Sequence, residues 1–261
     1  ITIDVADNKT LTYSGSPISL GANTVTLSGG GSLVSGGLTL NNASSKLLLN
    51  SITVDNVSTS ANSLGIDVDA DSTVTSLSVA NITPVSIASN KTLSGAITVT
   101  AGSVKLNETG TLASTIAMSG GTLDADESST VSGALTHTGN ITLDVADTKT
   151  LTYSGTAISL GAYTMTLTGG GSLVSGGLTL NDPSSMLLLN SITVDNVSTS
   201  ADSSSGGLDV DDDSTVSSLS VAHITPVSIA PGKTLSGAIT VSAGSINLDE
   251  TGTLASTVEM S

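Results

Sequence analysis

A chain of 261 residues, 38% of them hydrophobic, is long enough for one or two domains and too apolar for a disordered acidic tail. It holds no Cys, Trp, Phe or Arg and only three Tyr, which excludes a disulfide scaffold, a thiolate metal site and a core of large aromatic blocks. The net charge of −16 excludes the basic footprint of a nucleic-acid partner, and no run approaches the roughly 18 apolar residues of a membrane span.

The core must therefore come from Val, Ile, Leu and Ala, which suits a thin interior extended along one axis. From the first residues, "ITIDV" alternates aliphatic and polar side chains, the period of a half-buried strand. A Ser or Thr followed by an aliphatic residue then recurs at Thr10, Ser32, Ser51, Thr73, Thr92, Thr111 and Thr130. It continues at Thr150, Ser172, Ser191, Thr215, Thr234 and Thr253. Aliphatic residues stand five and seven positions before most of these marks, as Val25 and Leu27 do before Ser32, with a polar residue between them. Ser51 and Ser191 depart from this, being preceded by "KLLLN" and "MLLLN". Spacings of 19 to 22 residues in the first copy, repeated in the second apart from a two-residue insertion, define thirteen units.

An outer period of 140 residues lies over the inner one. Ile1 aligns with Ile141, and "GGGSLVSGGLTLN" and "LLLNSITVDNVSTSA" recur in both copies. A two-residue insertion within 203–206 moves the offset to 142, so that Lys91 matches Lys233. The organisation expected is a first repeat of seven units over 1–140 and a second of six over 141–261, in one continuous solenoid. Opening at Ile1 without Met and closing at Ser261 inside the unit series, the chain reads as a cut through a longer array.

No 3.6-residue periodicity is present, and β-branched residues and Gly abound. A unit of about 20 residues with two or three short strands cannot bury its apolar face alone, but stacked copies can. The expected fold is all-β: a parallel β-helix, or β-solenoid, of about thirteen rungs of 19–22 residues. Gly95 and Gly133 are expected at corners, supplying positive φ.

The candidate sites are acidic. "DVDADST" sets Asp67, Asp69 and Asp71 at alternate positions, and "DVDDDST" sets Asp209, Asp211 and Asp213 beside Asp212. Alternation would gather carboxylates on one outer face, and hard oxygen donors suit Ca²⁺. Yet the Gly and Glu of a calcium loop are missing, so a solvated face that blocks sideways pairing is the competing reading. His137 and His223 occupy non-corresponding positions and carry no nucleophile or metal motif. The Gly-rich "SGGGSLVSGG" lacks the Lys of a phosphate loop and reads as a wide corner. Neither a catalytic site nor a bound cofactor is expected, apart from the Ca²⁺ option.

The "TLSGAITV" and "STVSGAL" strands and turns resemble the β-helical repeats of bacterial surface proteins, namely filamentous-haemagglutinin-like exoproteins and autotransporter passenger domains. The resemblance implies a right-handed solenoid, export to the cell surface and a structural or adhesive role. The function expected is a rod segment of a long extracellular protein. Its partners would be neighbouring repeats of the same chain or further copies joined end to end. The alternative is an adhesin-type module that contacts glycans or a mineral or ice surface.

Overall fold

A computed structural model of the chain describes residues 1–203, 205–248 and 250–260. Ser204, inside the insertion, and the chain end at Ser261 lie outside the described residues. Two compact units are formed, Ile1–Thr136 and His137–Ser261. Each is a parallel β-solenoid, and the described residues contain strands but no helix. In the first unit seven strands stack on one face, from Thr2–Asp4 through Lys46–Asn50 to Thr122–Ala125. In the second, six do so, from Ile141–Val145 to Ile246–Leu248. Thirteen rungs result, in agreement with the expected fold class.

Each rung returns along a second face. There it runs as one long strand, as in Thr92–Val99, or as two short ones, as in Thr111–Leu112 and Thr115–Met118. Strand pairing within each unit is parallel, so equivalent residues stack directly. Leu38, Val57, Leu77, Ile97 and Ile116 form one such inward ladder across five rungs. All five are 2% exposed or less. Aliphatic burial in ladders of this kind supplies the main stabilisation. Leu93, the aliphatic residue after the Thr92 mark, is 1% exposed, while Thr92 beside it is half-buried.

Two of the thirteen marks need correction. Thr53, not Ser51, pairs with Ser32 below and Thr73 above, and Thr193 takes the place of Ser191. Ser51 and Ser191 instead turn the chain, both at φ 58°. That left-handed conformation inserts a corner between "LLLN" and the next strand. The ladder also slips by two residues in places: Thr73 faces Ser94 rather than Thr92, and Val85 faces Leu106 rather than Val104. These slips are even, which keeps the core residues inward; the one-residue shifts after Val74 and Val216 are instead absorbed by bulges.

The glycines also differ from expectation. Gly95 does have φ 125°, but within the strand Thr92–Val99, where a Cβ would strike the Val74 carbonyl oxygen. It marks the bulge between the Val74 and Leu77 pairings and not a corner. Gly133 does not have positive φ; it is required because a Cβ there would strike the Ser114 carbonyl oxygen. Some polar side chains at inner corners are satisfied locally, while the Ser63 hydroxyl and Asn107 Oδ1 are buried without a partner. Ser45 is fully buried, donates to the Gly21 carbonyl at 2.6 Å and accepts from the Asn42 amide at 3.0 Å.

Candidate functional site

The outer face of the strand stack carries the acidic residues, and the structure separates them. Asp67 lies outward on Gly65–Val68, where the Lys46 ammonium of the preceding rung meets it at 2.7 Å. The strand ends at Val68, so the alternation that would have aligned Asp69 and Asp71 with it is interrupted by a turn. Asp69 is exposed in that turn. Asp71 caps the next rung, accepting from the Thr92 amide at 2.8 Å.

The second copy follows the same plan with different charges. Asp213 accepts from the Thr234 amide at 2.8 Å, and Asp211 is exposed. The additional Asp212 takes the Lys233 ammonium at 2.6 Å, which holds its carboxyl below the usual range and raises the lysine. Asp209 stands where Asp67 does, but Met186 replaces Lys46 one rung below. Burial pushes the Asp209 carboxyl up, and the negative charges of Asp211 and Glu250 push it further. Among the described residues, no three His, Cys, Asp or Glu side chains come together as a group that could hold a metal ion.

Other carboxylates act in ways the acidic runs do not announce. Asp55 accepts from the amides of Ser35 and Gly36, both at 2.9 Å, and from the Ser35 hydroxyl at 3.1 Å. It thereby closes the corner of "SGG" one rung earlier. Asp195 does the same for Ser175, at 2.8 Å and 3.0 Å. Lys105 bridges Asp124 at 2.8 Å and Asp126 at 3.2 Å, and the Asp124 contact is the main reason its ammonium is held above the ordinary value. The common signal was a charged residue one rung, 19 to 21 positions, from its partner.

The histidines are half-buried. His137 sets both ring nitrogens against backbone carbonyls, those of Gly139 and Ser159, each at 3.1 Å. Its ring meets Tyr163 edge-on, with centroids 5.7 Å apart. His223 lies 3.3 Å from Asp202. What the outer face can do chemically is bind rung to rung by charge and present carboxylates to solvent. Comparison with protein-family models, with curated proteins and with solved structures gave no match.

Proposed function

We propose that this chain is a structural segment of a long extracellular repetitive protein, a rod whose reach is set by the number of copies. The supporting observation is that the copies repeat their bonds as well as their letters. Ser185 donates to the Gly161 carbonyl at 2.6 Å, as Ser45 does to Gly21. The Gly161 amide donates to Asn181 at 2.8 Å, as Gly21 does to Asn41. Duplication that repeats these corner bonds keeps rungs stackable, and stackability is the property that length requires. Stiffness would come from inter-rung backbone hydrogen bonds and aliphatic ladders. The partners in this reading are neighbouring repeats, in the same chain or end to end, at the cell surface; catalysis has no part in it.

Chains carrying one, two and three copies of the 140-residue repeat test the reading. Seven rungs at roughly 4.8 Å each should add about 34 Å to the maximum dimension in small-angle scattering per copy. A maximum dimension that stayed constant while the cross-section grew would sink the rod.

A second reading, an adhesin-type binding module, is favoured by where the copies diverge. The first has Lys46, Asn62 and Asn81 on its surface; the second has Met186, Asp202 and His223. Retention of the whole chain by immobilised glycans, mineral or ice, lost on returning those three positions to the first copy's residues, would establish it.

A further inference from the structure

The surface around Asp209 is a notch. Gly207 has φ 134°, and a Cβ there would strike the Pro226 carbonyl oxygen, so no side chain can fill the space above Met186. Met186, Gly207, Asp209, Pro226 and Ser228 line a cavity of about 270 Å³. The corresponding place in the first copy is occupied by the protein's own lysine. Lys46 pairs with Gly65 in register, and its ammonium reaches Asp67, two residues further along that strand, at 2.7 Å. The second copy keeps the glycine and the carboxylate but has lost the amine. Among the described residues, no Lys or His side chain replaces it against Asp209.

We infer that the notch at Asp209 is a binding site for a primary ammonium group on an unbranched alkyl stem, with Lys46 and Asp67 of the first copy as its internal template. The carboxylate would take the ammonium, and the stem would lie along Met186 and Pro226, where methylene groups leave water. Asp211 and Glu250 add negative potential. An amine bound at this point would offset the burial and the repulsion that raise the Asp209 carboxyl, so binding should weaken as pH falls and the carboxyl protonates.

The test uses the full chain, titrated with n-butylammonium and separately with Nα-acetyl-lysine methylamide, followed by amide chemical shifts. Saturable shifts centred on Gly207 and Val210 are expected, with half-saturation on the order of 10 mM for a single partly solvated ion pair with an apolar stem. Tighter binding of the lysine compound assigns the site to a polypeptide side chain, and tighter binding of butylammonium assigns it to a free amine. Two variants control the result. Asp209→Asn should abolish the localised shifts. Met186→Lys rebuilds the first copy's pair, so it should remain folded and block the amine at least tenfold. Equal binding by Met186→Lys, or shifts that grow linearly and spread over all acidic residues alike, would overturn the site.

Discussion

Asp55 is bonded to Ser35 twice, through the backbone amide and through the hydroxyl, across one full rung of the solenoid. The pair fastens a corner of two glycines, Gly36 and Gly37, in which the Ser35 hydroxyl also accepts from the Gly37 amide at 3.3 Å. Burial works to raise the Asp55 carboxyl, but hydrogen bonds from Asn56, Ser35 and Gly36 outweigh it, and the net effect is a value below the ordinary 3.8.

A folded-state value below the unfolded one means that stability is present above the unfolded value and lost as pH falls through the folded one. The 35–37 corner should therefore loosen below about pH 4. Hydrogen exchange at the Ser35 and Gly36 amides, compared between pH 6 and pH 3, should show that loss. Asp55→Asn should remove most of the pH dependence and cost about 1 kcal/mol locally, because one charge-assisted acceptor is gone and the site is partly solvated.

Leu93→Asp is expected to destabilise the first unit by several kcal/mol, since an unpaired carboxylate would be confined between Ser72 and Leu112. Leu93→Val should cost about 1 kcal/mol. Thr92→Ser, next door but half-buried, should leave the melting temperature nearly unchanged. A Leu93→Asp chain that melts like the parent would place that side chain outside the core.

Gly95→Ala and its second-copy counterpart Gly237→Ala should each destabilise by about 2 kcal/mol or more. At both, φ is positive, at 125° and 129°, and a Cβ would strike the carbonyl oxygen of a valine one rung below. Urea melts of the single and double variants should show both effects, nearly additive because the sites lie in different units.

Much of this fold could be read from the spacing of aliphatic residues, because a strand with one buried face writes its period of two directly into the chain. Val25 with Leu27 and Ile66 with Val68 carried that signal. The misplaced marks have a physical cause: in "LLLNSITV" both Ser51 and Thr53 precede an aliphatic residue, and the choice depends on a left-handed backbone that a serine does not advertise. The acidic runs misled in the same way. Alternation predicts a common face only while the strand lasts, and this one ends at Val68. Lys46 with Asp67 was legible as a one-rung spacing of opposite charges. Asp55 was not, since its partners are two backbone amides and a serine hydroxyl, none of them charged.

Deleting one rung, residues 92–110, should leave a folded chain, because Thr111 can then take the place of Thr92 and each rung touches only its neighbours. Removing about half that length should misalign every later rung of the first unit. Circular dichroism and thermal melts of the two deletions should differ clearly; identical behaviour would count against a rung of this size.

The even-numbered slips between rungs bear on how such a gene can change. A chain whose interior distinguishes only odd from even positions accepts two-residue drift along a strand without redrawing its core. Near-identical segments such as 29–41 and 169–181 offer sites for unequal exchange between copies, and any product cut and rejoined at matching letters stays in phase. Lengthening would then need no new packing solution, only another pass through the same one, and a single-residue change within a strand would need a bulge such as that at Gly95 to absorb it.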